Sequence, residues 1–270
     1  MKKLNVLVKS RGAVVFAFNT DIDYIKIAAR TARLINHVLK LPVSLITDQP
    51  VDEPIFDQVI LSDNQLENYR QGTYNMRSWR NGGRYTAYAL SPYDETLLLD
   101  SDYIVTTTNL LKLFEQEFDY RIMTHNQRYE QPLTETMGTY SLQYQWATAV
   151  LFRKTAKAEM LFDLVGRIQR NYLYYMNLYN ISRGSFRNDF AFTIANNMLN
   201  GYDQGWSDGI PWSMLTLSNT VKSMTINNGL VTVKELDRAY VMPQQDLHVM
   251  DKYYLLSQNF ADFVETVCLD

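Results

Sequence analysis

Two hydrophobic rhythms alternate along the chain. Residues 13–19 (AVVFAFN) form an unbroken apolar run, the pattern of a strand buried on both faces. Beyond Ile22 the apolar positions instead recur every three or four residues, at Ile25, Ala29, Ala32, Ile35 and Leu39, with Lys26, Arg30 and Arg33 elsewhere on the surface. That spacing predicts an amphipathic helix capped by Thr20 and Asp21, with Pro42 closing the turn after it. Residues 43–48 (VSLITD) predict a second buried strand and 56–63 (FDQVILSD) a third short one. Strand, helix, strand with short connections predicts an α/β fold: a mainly parallel central sheet flanked by helices, with right-handed crossovers.

The pattern continues to the C-terminus. Residues 84–90 predict a helix that Ser91 and Pro92 end, and 95–105 (ETLLLDSDYIV) a buried strand that stops at two aspartates. A short amphipathic helix is predicted over 110–118, and strands over 120–126 and 146–155 (WATAVLFRKT). One long helix, Tyr-rich towards its end, is predicted over 156–179, and another over 187–202 with Asp189 in its first turn. The last third reads as short strands at 223–227 and 230–236, then DLHVMDKYYLLS and a terminal helix. No repeat, low-complexity tract or linker interrupts the chain, so residues 1–270 are expected to form one domain.

Composition narrows the class. With 46% hydrophobic and 20% charged residues the chain reads as a soluble globular protein. Its single cysteine, Cys268, excludes an internal disulfide and points to a reducing cytoplasmic setting. A net charge of −3 excludes a globally basic nucleic-acid-binding surface, so such binding would need a local patch. The N-terminal MKKLNVLVKSRGAVVFAF is broken by Lys9 and Arg11, unlike a signal peptide. No stretch reaches the apolar length of a membrane span, so no membrane partner is expected.

Candidate chemistry gathers at strand ends. Asn19, Asp48, Asp100 and Asp102 all sit at predicted strand C-termini, where parallel sheets collect their ligands. Asp100-Ser101-Asp102 on its own is first of all a polar turn. The apolar strand before it and the immediate return to Tyr-Ile-Val favour the other reading, two hard oxygen ligands for Mg²⁺ or Mn²⁺.

ETLLLDSDYIV resembles the DXD strand of GT-A-fold glycosyltransferases, which use nucleotide-diphosphate sugars. The resemblance runs in order from 13 to 252: VVFAFN…PVSLITD is similar to the family's nucleotide-binding half, WATAVLFRKT to its Asn-Ala-Gly-Val strand in glycogenin-like members, FRNDFAFTIANNMLN to its Asn-Asp-Gln helix start, and LHVMDK to its late His…Lys segment. FAFNTDIDYIKIA and SPYDETLLLDSDYIV look most like glycosyltransferases of tailed bacteriophages. The resemblance implies a GT-A fold with a nucleotide-binding half over about 1–105 and an acceptor half over about 106–270.

It further implies Mn²⁺ or Mg²⁺ on Asp100, Asp102 and His248, and a nucleotide-diphosphate sugar, a UDP-sugar first, as donor. Phe18, Asn19, Asp48, Arg84, Asp100, Ser101, Thr148 and Lys252 would then bind the donor. Asp189 and Arg84 would serve catalysis, and Trp212 and Arg187 the acceptor. Thr148-Ala149 where the family often has Ala-Gly, and Phe190 where Gln would follow, leave the sugar open. The acceptor hydroxyl is expected on 5-hydroxymethylcytosine in double-stranded phage DNA or, alternatively, on a glycan, protein or small molecule. For DNA, the positives would be Arg77, Arg80, Arg84, Arg167, Arg170, Arg183 and Arg187, and the stacking rings Trp79, Tyr172, Phe186 and Trp212. A nucleotidyltransferase is disfavoured because FNTDIDY lacks a Gly-rich loop; a non-catalytic binding module is disfavoured by the intact Asp100, Asp102, His248 and Lys252.

Overall fold

The computed structural model describes the chain apart from residues 1–9, 63–68, 72–75, 79–80, 129–130, 133–135, 138–141, 182–184, 204–208, 218–219, 237 and 270. Trp79, Arg80 and Arg183, and the side chain of Arg77, thus lie outside the described part.

The first unit is the expected strand–helix–strand. Strand β1 (Arg11–Phe16) leads to helix α1 (Tyr24–Leu34), then β2 (Val43–Thr47) and β3 (Gln58–Leu61), all parallel. The helix starts two residues later than its periodicity predicts. Asp23, not Thr20 or Asp21, accepts from Lys26 N at 3.0 Å, and Asn19 Oδ1 accepts from Ile25 N at 2.9 Å, so two side chains satisfy the first-turn donors. A π-turn at Ile35–Leu39 ends the helix, and Lys40 follows at φ 55°.

A small hairpin follows, β4 (Tyr69–Gln71) with β5 (Met76–Ser78). The region predicted as a helix over 84–90 is a 3₁₀ turn, Gly82–Thr86, running into α2 (Ala87–Leu90). Strand β6 (Glu95–Leu99), buried at every position, pairs parallel to β1. Then come β7 (Tyr103–Ile104), α3 (Leu111–Phe114), β8 (Tyr120–Arg128), β9 (Gln131–Pro132) and β10 (Trp146–Arg153). The helix predicted over 156–179 is two helices, α4 (Ala156–Arg170) and α5 (Tyr172–Leu178), because Asn171 leaves helical geometry at φ −117° and ψ 32°. Helix α6 (Asn188–Leu199) follows.

Strand β11 (Gly209–Leu217) has no counterpart in the sequence reading, since Pro211 argues against a sheet interior. It is tolerated because the register with β8 shifts between Ile210 and Ser213, a bulge where no regular ladder bond is needed. A separate sheet of β12 (Val221–Asn227), β13 (Leu230–Glu235) and β14 (Ala239–Pro243) precedes β15 (Leu247–Val249), α7 (Lys252–Leu256) and α8 (Gln258–Leu269).

The large sheet runs β3-β2-β1-β6-β10-β8-β11-β15-β7. Leu99 ends β6 and Tyr103 begins β7, so the two are at most about 14 Å apart along the chain. Their strands are nonetheless five places apart in the sheet, about 24 Å if it were flat. The sheet therefore curls until its far edge meets the carboxyl end of β6. Asp100, Ser101 and Asp102 span that junction, and β15 is carried to the same spot. Helix α1 packs both ways: Ile25, Ala28 and Ala32 join the apolar cluster under the parallel strands, while Ile27 and Leu34 join a second cluster with Phe260, Val231 and Val233. Among the described residues, no helix is long and apolar enough to cross a membrane.

Candidate metal and nucleotide-sugar site

The strand end at Leu99 is held in place by its neighbours. Asp100 N donates to Thr148 O of β10 at 2.9 Å, and Val249 N of β15 donates to Asp102 O at 2.9 Å. The second bond ties the aspartate turn to β15, where His248 pairs in register with Tyr103. Asp100, Asp102 and His248 thereby offer ligand atoms within 4.8 Å of one another. Two carboxylates and an imidazole, hard oxygens with one borderline nitrogen, suit Mg²⁺ or Mn²⁺. The three predicted metal ligands are thus brought together.

Charges around the triad are arranged asymmetrically. Asp102, buried, pairs with Lys252 Nζ, and His248 Nε2 lies 3.4 Å from Asp102 Oδ2. Burial alone would raise the Asp102 pKa, but Lys252 and His248 outweigh it and hold the carboxyl well below the usual range. Asp100 moves the other way. Burial lifts its pKa to about 6, against the pull of the Arg84 guanidinium and with the repulsion of Asp102. Burial disfavours charge on His248 and Lys252 too, yet both are raised because Asp102 stabilises their charged forms.

Arg84 is 1% exposed and donates to Asp100 Oδ1 at 2.7 Å and to Ala147 O. It therefore buttresses the aspartate from within the fold. Asp189 is also fully engaged: Oδ1 accepts from Ala147 N at 2.8 Å, and Oδ2 from the Tyr144 hydroxyl at 3.0 Å and Arg187 Nε at 3.1 Å.

Two cavities meet at Asp100 and Asn81. One, of about 470 Å³, runs along the end of β1 past Phe18, Tyr24, Ser101, Asp102 and Lys252. The other, of about 280 Å³, lies towards Arg84, Thr148, Arg187, Asp189 and His248. Neither Asn19 nor Asp48 lines them: Asn19 caps α1, and Asp48 is exposed after β2. Trp212 packs half-buried on the main core. Tyr172 and Phe186, offered as base-stacking rings, are 2% and 1% exposed and belong to the core.

Sequence reasoning missed Tyr24, Asn81, Asn126, Asn188 and Thr216. Within the smaller cavity, Asn81 Oδ1, Asn126 Nδ2 and Asn188 Oδ1 are buried without a hydrogen-bond partner, the state of polar groups that await a ligand or water. Only Asn188 carried a signal, its place beside Asp189.

No protein-family model and no curated protein sequence matches the chain. Solved structures do. The glycosyltransferase GlyE of Streptococcus pneumoniae matches at 17% identity and a TM-score of 0.43, over 75% of this chain and 45% of that one. Mouse xyloside xylosyltransferase 1 matches at 13% identity and a TM-score of 0.47, over 77% of this chain and 88% of that one. The galactosyltransferase LgtC, solved with donor and acceptor sugar analogues, matches at 11% identity and a TM-score of 0.45, over 68% and 70% of the two chains. The chain thus spans under half the length of GlyE.

Proposed function

We propose that this chain is a GT-A-type glycosyltransferase that moves a sugar from a nucleotide-diphosphate donor, a UDP-sugar in the first instance, to a hydroxyl acceptor, using Mn²⁺ or Mg²⁺. The observation that carries the reading is the convergence of Asp100, Asp102 and His248 within 4.8 Å at the junction of two cavities, with Lys252 beside them. Asp100, Asp102 and His248 would hold the cation, which when bound supplies Lewis-acid stabilisation of a departing diphosphate. Lys252 adds a positive charge to the same leaving group. Phe18 and Tyr24 wall the larger cavity on the nucleotide side. Asn81 and Asn188 line the smaller cavity, where their amides would pair with sugar hydroxyls. Asp189, bound on both oxygens, orients Arg187 and the Ala147 backbone around that sugar. Arg84 sets the position of Asp100.

For the acceptor, burial of Tyr172 and Phe186 removes two of the rings a flipped DNA base would stack on. This favours a glycan, protein or small-molecule hydroxyl over hydroxymethylated DNA. Residues 1–270 are read as one domain, because α1 contributes to both apolar clusters; the lone Cys268 fits a cytoplasmic setting. The test is a thermal-shift and donor-hydrolysis screen over nucleotide sugars with Mn²⁺, followed by transfer assays on glycans and on DNA with and without hydroxymethylcytosine. Asp102→Ala should abolish metal-dependent UDP binding; unchanged binding would sink the site assignment. Transfer to modified DNA alone would reverse the acceptor reading.

A further inference from the structure

We propose that Thr216 and Asn126 position His248 for metal binding by holding its proton on Nδ1. The inference rests on the metal-dependent reading above and concerns residues that reading leaves without a role. Asn126, Thr216 and His248 lie on three successive strands, β8, β11 and β15. Both junctions are parallel, with Met214 opposite Asn126 and Thr216 opposite His248. Thr216 is two residues beyond Met214, so the three side chains share one face of the sheet. Asn126 and Thr216 are 3% and 5% exposed, leaving no room for bulk water to take over their bonds.

The donor count fixes the direction. A threonine hydroxyl has one hydrogen, and that of Thr216 goes to Asn126 Oδ1 at 2.8 Å. Thr216 Oγ1 itself lies 3.2 Å from His248 Nδ1 and is left to accept. A neutral imidazole that donates from Nδ1 keeps its lone pair on Nε2, the atom facing Asp102. A metal ligand needs that lone pair. The opposing influence is Asp102 itself, whose carboxylate at 3.4 Å rewards a proton on Nε2. Thr216, held by Asn126, opposes that pull from the other ring nitrogen, Nδ1. Asn126, Thr216 and His248 all line the smaller cavity, so the pair links the metal ligand to the wall of that cavity.

The test uses the full chain and two readouts other than turnover. The chain has three histidines, so ¹⁵N imidazole shifts of the metal-free protein can be assigned by single substitutions of His37 and His125. At a pH where His248 is neutral, its proton should reside on Nδ1, and in Thr216→Val it should move to Nε2. Mn²⁺ affinity in the presence of UDP, followed by electron paramagnetic resonance, should weaken about 10- to 100-fold in Thr216→Val. Thr216→Ser, which restores the hydroxyl, should return close to the parent value. An Nε2 proton in the parent protein, or unchanged Mn²⁺ affinity in Thr216→Val while Asp102→Ala loses it, would overturn the inference and leave the metal site standing. Unchanged affinity in Asp102→Ala as well would overturn the metal reading.

Discussion

Asp246, two residues before His248, gives the sharpest test of how the site is built. Its carboxylate is 7% exposed and belongs to no cavity wall described above. Oδ1 accepts from Thr106 N at 2.9 Å, Thr107 N at 2.9 Å and Thr107 Oγ1 at 3.1 Å, and Oδ2 from the fully buried Tyr103 hydroxyl at 3.2 Å. These bonds fasten the segment after β7 to the start of β15, its neighbour at the sheet edge that the curl brings to the end of β6. Asp246→Ala strands two backbone donors and a buried phenol. At about 1–3 kcal/mol for each buried group left unpaired, and with partial relaxation, the loss should be about 3–6 kcal/mol. For a chain of this size that lowers Tm by roughly 6–20 °C.

Asp246→Asn should behave differently. Its carbonyl oxygen can keep all three threonine donors, and its amide can donate to the Tyr103 oxygen. Burial, the dominant influence, raises the Asp246 pKa despite these bonds. The folded state thus binds the proton more tightly, and stability from this group falls as pH rises through the folded pKa. At neutral pH the asparagine therefore escapes a desolvation cost, and its stability should stay within about 1 kcal/mol of the parent. Urea unfolding followed by circular dichroism, at pH 5 and pH 7.5, measures both variants. Equal losses for alanine and asparagine would refute the reasoning, because they would mean that charge rather than hydrogen-bond geometry holds this junction.

Other expectations concern the triad and its far support. Asp100, with its pKa lifted to about 6, and His248, also raised, must both shed protons to bind a cation. Mn²⁺ affinity should therefore fall as the pH is lowered, by about tenfold per pH unit for each proton bound; a flat profile in calorimetric titrations from pH 5 to 8 would contradict this. Arg84→Met removes the guanidinium that opposes protonation of Asp100, so its Mn²⁺ affinity should drop more at pH 6 than at pH 8. Glu95, 2% exposed, bridges Arg11 and Arg153 at 2.7 Å each, at the opposite end of β6 from the triad. Glu95→Gln should cost about 2–4 kcal/mol in urea unfolding while leaving Mn²⁺ affinity unchanged.

The sequence by itself determined the parallel unit. The runs at β1, β2 and β6 are dominated by apolar residues and buried at nearly every position, and a strand buried on both faces needs no knowledge of its neighbours to be recognised. It also marked Asp100 and Asp102, because two carboxylates ending such a strand are costly without a partner, and it marked His248 and Lys252 through their resemblance to a known segment. Tertiary structure alone decided the rest. Strand β11 was illegible because Pro211 breaks the local pattern and only the bulge against β8 accommodates it. Arg84 read as a residue reaching for phosphate, yet it is buried beneath Asp100. Asp246, Thr216 and Asn126 carried no signal, because an isolated aspartate, threonine or asparagine looks like any surface polar residue. Their roles exist only once the sheet curls and sets β7, β15, β11 and β8 side by side. Apolar periodicity is a property of neighbouring residues, whereas the partner of a buried polar atom is chosen by segments that lie 32 to 143 residues away in the chain.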